Sequence, residues 1–218
     1  MLKAKCQQPT ATMNQINTII FDLGGVLIDW NPLYVFKNLI PDEERRNYFF
    51  ENVCTSHWNE QQDGGVLIET ATNERIALFP EWENEIRAYY GRWVEMLGDA
   101  NHETVEILRT LTDSPDYQVY ALTNWSAETF PIAKSMERFQ FLHWFEGILV
   151  SGEEMMIKPQ PEIFELILSR YGIDRNKAVF IDDNLRNVHA SNTIGLQAIH
   201  FQSSGQLAEE LKNKGVRF

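Results

Sequence analysis

Four short segments carry the residue types that could do chemistry in this chain, and they lie far apart in the sequence. They are Phe21–Leu27 (FDLGGVL), Leu122–Ser126 (LTNWS), Lys158-Pro159 and Phe180–Asn184 (FIDDN). Carboxylates can hold a cation or attack an electrophile, and a lysine can hold an anion. Three of the segments directly follow apolar runs of β type, and the loops that follow parallel strands share one edge of a sheet. We therefore expect Asp22, Thr123 and the pair Asp182-Asp183 to converge, with Lys158 reaching them from a longer loop.

The pair Asp182-Asp183 is the strongest single signal. It directly follows the apolar run Val179–Ile181, and two adjacent carboxylates at a buried strand end repel each other unless a cation neutralises them. Hard oxygen ligands of this kind suit Mg²⁺, which also binds substrate phosphate. The alternative is one exposed aspartate beside one helix cap.

Asp22 ends a buried strand where the chain turns on Gly24 and Gly25. A carboxylate there is a nucleophile or a metal ligand, or else it caps a helix or a turn. Glycines at such a turn let the backbone approach a ligand and present N–H groups to an anion.

The remaining polar residues suit an anion. Thr123 and Asn124 offer a hydroxyl and an amide to phosphate oxygens, although helix capping explains them equally well in isolation. Pro159 holds the preceding Lys158 in an extended conformation, and a fixed lysine near a carboxylate can hold both the anion and the nucleophile in place. Most lysines are merely solvated.

The elements that position these residues follow from the apolar periodicity. After residue 100 we predict alternating elements: helix 105–111, strand 118–123, helix 127–137, strand 147–151, helix 161–171, strand 178–181, helix 185–193, strand 197–201 and helix 207–214. Alternation of this kind implies an α/β fold, a parallel sheet with helices on both faces.

A helical block interrupts this rhythm after the first strand, which we place at Thr18–Phe21. Apolar residues recur at helical spacing from Pro32 to about residue 100, and Gly64-Gly65 and Pro80 divide the block into pieces. We therefore predict a mobile tail over 1–16, an α/β catalytic core over 17–30 and 101–218, and a helical-bundle cap over 31–100. An insert at this point would sit over the strand ends like a lid.

Composition excludes several function classes. The net charge of −12 and the lack of a Lys/Arg cluster argue against a nucleic-acid partner. Neither an apolar signal segment nor a run long enough to span a bilayer is present. Cys6 and Cys54 have no metal-ligand spacing, and a reduced, cytoplasmic setting without a membrane partner is expected. The oligomeric state is not readable from the sequence.

Together, the four segments resemble the motifs of the haloacid dehalogenase-like (HAD) hydrolase superfamily, in their expected order. The resemblance covers nearly the whole chain after residue 17, and it extends to the place of the helical insert, which corresponds to the C1-type cap of subfamily I. It implies the family's Rossmann-like fold with a nucleophilic Asp22 that forms a covalent aspartyl intermediate. Lys158 would act with Asp22 and bind the transferring group.

The resemblance also implies the other ligands. Leu23, Gly24, Thr123 and Asn124 would contact the substrate. Mg²⁺ would be held by Asp22, the backbone carbonyl of Gly24, and the pair Asp182 and Asp183, of which Asp183 would ligate directly and Asp182 directly or through water. Phosphoryl transfer in such a site is mainly positioning and charge neutralisation.

One position departs from the phosphatases of the family. These usually carry a second Asp two positions after the nucleophile as general acid and base, and here that position is Gly24. A general acid is typically worth about 10²- to 10⁴-fold in rate. The enzyme then favours leaving groups that need little protonation, such as those of anomeric sugar phosphates or acyl phosphates. Alternatively, water or a cap residue supplies the proton. Four cap-side candidates are Asp29, His57, Glu60 and Asp63.

The sequence favours a Mg²⁺-dependent phosphatase of a small phosphorylated metabolite, with a sugar phosphate as the first expectation. A 2-haloacid dehalogenase is the first alternative, because a halide leaves without a proton and also needs no acid at position 24. The pair Asp182-Asp183 argues against it, since a site without metal would confine repelling carboxylates beside the nucleophile. The second alternative is a catalytically weak member that binds a phosphorylated ligand or a protein.

Within the cap, the polar segment 58–65 or the segment 29–31 is expected to face the substrate. Tyr89, Tyr90 and Trp93 are expected to form the core of the cap instead. Closure of the cap would exclude water and set specificity.

Overall fold

A parallel sheet organises the part of the chain that the computed structural model describes, residues 15–217. The strands are β1 (Thr18–Phe21), β2 (Ile28–Trp30), β3 (Leu97–Ala100), β4 (Gln118–Thr123), β5 (Gly147–Val150), β6 (Ala178–Asp182) and β7 (Ala198–His200). Five of them form one sheet in the order β5-β4-β1-β6-β7, and every neighbouring pair in it is parallel. The first strand of the chain is therefore the central strand, and its carboxyl end lies between those of β4 and β6.

Helices alternate with these strands as the periodicity predicts. They are α1 (Leu33–Leu39), α2 (Glu43–Tyr48), α3 (Ser56–Asp63), α4 (Ile68–Leu78), α5 (Glu83–Gly91), α6 (His102–Thr112), α7 (Phe130–Lys134), α8 (Ser151–Glu154), α9 (Pro161–Tyr171), α10 (Leu185–Thr193) and α11 (Ser204–Asn213). Short 3₁₀ and π turns link several of them. The predicted α/β fold class, a parallel sheet with flanking helices and a helical insertion after its first strand, is confirmed.

Both faces of the sheet are buried. Side chains alternate along a strand, so Ile19 and Phe21 of β1 join a cluster that contains Leu108 of α6. Ile20 points to the other face and joins a cluster that contains Phe164 of α9. A strand covered on both faces reads as a continuous apolar run, which is why the β1 segment could be recognised in the sequence.

The helices α1 to α5 occupy the insertion and have an apolar core of their own, rich in aromatic residues. Within it the rings of Phe36 and Phe49 stack with centroids 4.9 Å apart, and those of Trp58 and Tyr89 meet edge to face at 5.2 Å. The antiparallel pair β2 and β3 joins the entry and the exit of the insertion. The division of the chain into a cap over 31–100 and a core over 17–30 and 101–218 stays a prediction.

Some predicted boundaries differ from the structure. The helix predicted over 127–137 is only α7, followed by a 3₁₀ segment over Glu137–His143. The backbone leaves the helical region at Met136 with ψ 135°, and the Ser135 hydroxyl donates to the Ile132 carbonyl at 2.7 Å, which offers the backbone an alternative to a further turn. The strand predicted over 147–151 ends at Val150, because Ser151 begins α8.

The tail predicted over 1–16 lies mostly outside the described residues, as does Cys6. Ile16, however, is 2% exposed and packs in the core, and the Asn17 N–H donates to the Lys177 carbonyl at 2.9 Å. Cys54 is a buried free thiol. No helix within residues 15–217 is both long and apolar enough to cross a bilayer.

Candidate active site

Asp22 lies where β1 ends, at the centre of the carboxyl edge of the sheet. Its N–H donates to the Ile181 carbonyl at 2.8 Å, which extends the pairing of β1 with β6 by one residue. Its Oδ1 accepts the N–H of Leu23 at 2.7 Å, and the residue is 7% exposed. The backbone therefore fixes a nearly buried carboxylate at the point where the chain turns.

Lys158 joins the carboxylates of two adjacent strands. Its Nζ lies 2.9 Å from Asp22 Oδ1 and 2.7 Å from Asp182 Oδ2, and it also donates to the Leu122 carbonyl at 2.9 Å. The residue is 1% exposed. Three acceptors from three strands or their ends thus hold one buried ammonium group, as expected when a buried charge must be paired.

Asn124 positions this lysine through the backbone. Its Nδ2 donates to the Lys158 carbonyl at 2.9 Å, and its Oδ1 accepts the Lys158 N–H at 2.8 Å. This two-point contact ties the loop after β4 to the loop that carries Lys158. Asn124 also lines the cavity beside Asp22.

The charges of the site are strongly coupled. Burial raises the pKa of the Asp22 carboxyl well above its usual range, Lys158 opposes the increase, and Asp182 adds to it. Burial alone would lower the pKa of Lys158, but attraction to Asp182 and Asp22 outweighs it and raises that pKa. The lysine is therefore a permanent cation, and full ionisation of Asp22 is favoured by any further positive charge at the site.

Asp182 and Asp183 lie in different environments. Asp182 is fully buried, and besides Lys158 its carboxylate accepts the Asn184 N–H at 2.8 Å and the Asn187 side-chain amide at 3.0 and 3.1 Å. Asp183 is exposed and faces the cavity. Burial and the neighbouring Asp182 both raise its pKa. The lone pairs of Asp182 are thus largely occupied, whereas those of Asp183 remain open to a ligand.

A glycine brings Asp183 close to the turn after Asp22. Gly25 has φ +73°, and a Cβ added there would lie 2.3 Å from Asp183 Oδ2. Carboxylate oxygens of Asp22, Asp182 and Asp183 lie within 4.8 Å of one another. Three hard oxygen donors at this spacing, one of them solvent-accessible, fit a Mg²⁺ ion.

Some of the predicted substrate-binding residues line the cavity, whereas others have fully buried side chains. Gly24 and Asn124 line the cavity. The side chains of Thr123 and Leu23 are fully buried, and Leu23 packs in the apolar core, so only its backbone is available to a ligand. Within residues 15–217 the Thr123 hydroxyl has no hydrogen-bond partner, which is unusual for a buried polar group and leaves this hydroxyl free to bind a ligand.

The cavity above Asp22 has a volume of about 330 Å³. Helix α3 contributes Asn59, Glu60 and Asp63 to its wall, so part of the segment predicted to face the substrate does line it. Aromatic rings form another part of the wall: Trp30, Tyr89, Tyr90, Trp93 and Trp125. Tyr89 packs in the apolar core of the insertion as expected, whereas Trp93 belongs to the cluster that also contains Leu108 of α6, and Tyr90 packs against both clusters. All three also line the cavity, so the expectation that they form the core of the cap was incomplete.

Sequence reasoning missed Asn187, whose amide holds both oxygens of Asp182. It lies within the first turns of α10, five residues after Asp182, and Asn184 caps that helix by accepting the Arg186 N–H at 3.0 Å. A polar residue at this spacing on an otherwise amphipathic helix was the available signal.

The comparison with known proteins agrees with this geometry. The family model of haloacid dehalogenase-like hydrolases matches residues 16–195. The chain belongs to this family of hydrolases. It is similar to a sesquiterpene phosphatase of Aspergillus oryzae, with 27% identity over 195 residues, 88% of this chain and 93% of the relative.

Solved structures share the fold. A HAD family enzyme of Bacteroides thetaiotaomicron, crystallised with magnesium and inorganic phosphate, superposes with a TM-score of 0.64 at 23% identity, covering 86% of this chain and 95% of that one. An L-2-haloacid dehalogenase of Xanthobacter autotrophicus superposes with a TM-score of 0.60 at 14% identity, covering 94% and 85%. The fold is thus common to phosphate-binding and dehalogenating members, and the choice between them depends on the site.

Proposed function

We propose that the protein is a Mg²⁺-dependent phosphatase of a small phosphorylated metabolite that works through a phospho-aspartyl intermediate on Asp22. The observation that carries the proposal is the cluster of three carboxylates within 4.8 Å of one another, with a buried lysine bridging two of them. Displacement of a halide gives such a cluster no role, whereas a phosphoryl group needs a cation on each side to offset its charge.

The hydrogen bonds of the two adjacent aspartates support different roles for them. Asp182 is held by Lys158, Asn187 and a backbone N–H, which suits a residue that orients the lysine and contacts metal at most through water. Asp183, with Asp22 and the Gly24 carbonyl, would hold the Mg²⁺ directly. When bound, the ion would offset the charge of the transferring phosphoryl group.

The residues of the chain then divide the work of transfer. Asp22 attacks phosphorus with one carboxylate oxygen, and Lys158 orients that carboxylate while it attracts a phosphate oxygen. The Thr123 hydroxyl, which lacks a partner within residues 15–217, donates to another phosphate oxygen. The helices of the insertion form part of the cavity wall, and water displaced from around a bound substrate there would strengthen each of these interactions.

The cavity constrains the chemical identity of the leaving group less than it constrains the phosphoryl group. A cavity of about 330 Å³ accepts a molecule of sugar size, and a sugar phosphate is our first proposal for the substrate. A second candidate is the monophosphate of an apolar isoprenoid alcohol, because aromatic rings form much of the wall and one relative is a sesquiterpene phosphatase.

The test is hydrolysis of p-nitrophenyl phosphate, a panel of sugar phosphates and farnesyl phosphate, each with Mg²⁺ and with EDTA. We expect Mg²⁺-dependent turnover by the wild type and none by Asp22→Asn. Asp29→Asn is the matched control, because the Asp29 carboxylate is exposed, accepts a hydrogen bond from Tyr34 and does not line the cavity. Metal-independent chloride release from 2-chloropropionate, without phosphate release, would instead establish the dehalogenase. Absence of both activities would favour a binding protein.

A further inference from the structure

The turn after the nucleophile has room for a carboxylate that the sequence does not supply. Gly24 lines the cavity, and a Cβ added to it would meet no atom within 4 Å. Its φ lies outside the left-handed region, so neither sterics nor backbone conformation demands a glycine. A phosphatase at this site still needs a proton for any basic leaving group. The question is which side chain of this chain delivers it.

The structure separates the four candidates named from the sequence. Asp29 and His57 do not line the cavity, and the imidazole of His57 is 82% exposed. Glu60 lines it, but its carboxylate is engaged in an ion pair, with one oxygen 2.6 Å from Arg186 Nη2. Asp63 also lines the cavity and lies in none of the described ion pairs with lysine or arginine.

Asp63 is fixed at the seam between the helical insertion and the sheet. Its Oδ2 accepts the Asn59 side-chain amide at 3.0 Å, and its carboxylate also accepts the Ser126 N–H from the loop after β4. Its backbone carbonyl accepts the Ser151 hydroxyl at 2.5 Å. The last residue of α3 is therefore held by the loop after β4 and by the first residue of α8.

The glycines after Asp63 make this approach possible. Gly65 has φ +97°, and a Cβ there would lie 3.1 Å from the Gly152 carbonyl and 3.0 Å from Met155 Cγ. The chain after Asp63 thus lies directly against α8, at the edge of the sheet that carries the nucleophile.

The surroundings keep the proton on this carboxyl near neutrality. Burial, with repulsion from Glu60, raises the pKa of Asp63 to about 7, while the Ser126 N–H and Lys158 act in the opposite direction. Tyr89 and Tyr90 of α5 also interact with Asp63, and both remain neutral because burial raises the pKa values of their hydroxyl groups. A general acid works best when its pKa is close to the working pH.

We propose that Asp63 is the general acid and base of this phosphatase, in place of the carboxylate absent at Gly24. In the first step an Asp22 oxygen bonds to phosphorus, the bond from phosphorus to the leaving oxygen breaks, and that oxygen takes the Asp63 proton. In the second step the oxygen of a water molecule attacks phosphorus, and the Asp63 carboxylate takes a proton from that water. The bond from phosphorus to Asp22 then breaks, which restores both carboxyl groups and releases phosphate.

The test rests on the proposed phosphatase function and uses two substrates with Asp63→Asn. An alkyl phosphate, or a sugar phosphate esterified at a non-anomeric hydroxyl, has a strongly basic leaving group that needs the proton, whereas p-nitrophenolate leaves with little help. We expect kcat/KM to fall about 10²- to 10⁴-fold for the first and by less than about tenfold for the second. Because the variant also lacks the base for the second step, it should give a burst of p-nitrophenolate and accumulate phospho-enzyme.

A rescue variant distinguishes the loss of the acid from a folding defect caused by Asp63→Asn. Gly24→Asp combined with Asp63→Asn should recover most of the lost kcat/KM for the alkyl phosphate, since the space beside Gly24 is open. Asp29→Asn should leave the ratio between the two substrates unchanged. Equal losses for both substrates, or no loss for either, would overturn the role of Asp63. Wild-type protein that hydrolyses neither substrate would instead overturn the proposed function.

Discussion

Replacing Asp63 with asparagine should make the protein more stable relative to wild type at alkaline pH than it does at acidic pH. The pKa of this carboxyl is raised from 3.8 to about 7, first by burial and then by Glu60. An acid whose pKa is higher in the folded state holds its proton more tightly there. The contribution of Asp63 to the free energy of unfolding is therefore greatest below the pKa of the unfolded state, and it is lost as the pH rises from about 4 to about 7. Asparagine cannot ionise and escapes this loss.

The magnitude follows from the size of the pKa change. One pH unit corresponds to about 1.4 kcal/mol, so ionisation of Asp63 costs up to about 4 kcal/mol above pH 7. Because the carboxyl faces the cavity and is only half-buried, solvent screening reduces this cost to roughly half. The lost hydrogen bond from Asn59 costs about 1 kcal/mol at every pH. The stability of the variant relative to wild type should thus rise by on the order of 1.5 kcal/mol between pH 5 and pH 8.5.

The assay is urea unfolding of both proteins at several pH values in EDTA. Asp116→Asn, at an exposed position, is the matched control for the loss of one negative charge. A difference between Asp63→Asn and wild type that does not change with pH would refute the reasoning. It would mean that the Asp63 carboxyl is well solvated in the folded protein, and the physical basis for its role as an acid would be lost with it.

Three other perturbations test the rest of the site. Lys158→Met leaves two buried carboxylates without their cation and should lower the free energy of unfolding by about 3–5 kcal/mol in urea unfolding, with loss of turnover. Asp183→Asn should raise the Mg²⁺ concentration for half-maximal activity without lowering the unfolding temperature, because it removes a repelling charge rather than a structural contact. Arg186→Met breaks the exposed ion pair between α10 and Glu60 of α3. KM should rise by no more than about fivefold, and the difference in KM between variant and wild type should disappear in high salt.

The sequence was informative where topology alone decides position. β1, β4 and β6 are apolar on both faces, and a parallel sheet brings the carboxyl ends of all its strands to one edge. The convergence of Asp22 with the pair Asp182-Asp183 therefore follows from three short runs of residues. The predicted bounds of β4, α9 and α10 agree with the structure. For the two helices, a proline in the first turn of α9 and a polar cap before α10 mark where each one begins.

Contacts between distant loops were not readable in the same way. The two hydrogen bonds between Asn124 and the backbone of Lys158 join residues 34 apart. The choice of Asp63 over Glu60 depends on where α3 lies against the loop of Ser126 and on an ion pair with Arg186, 126 residues away. Both depend on how the insertion packs on the sheet, and no local pattern encodes that.

The proposed place of the proton donor is consistent with the charge already present at the strand ends. Three carboxylates have oxygens within 4.8 Å of one another there, and a fourth at position 24 would add repulsion whenever it ionised. Asp63 comes from α3, in the part of the cavity wall that the insertion contributes, and contacts with Ser151 and Ser126 hold it there. In the proposed mechanism the proton therefore comes from the helical insertion and not from the turn after Asp22. Cleavage of a basic leaving group then needs no second carboxylate beside the nucleophile.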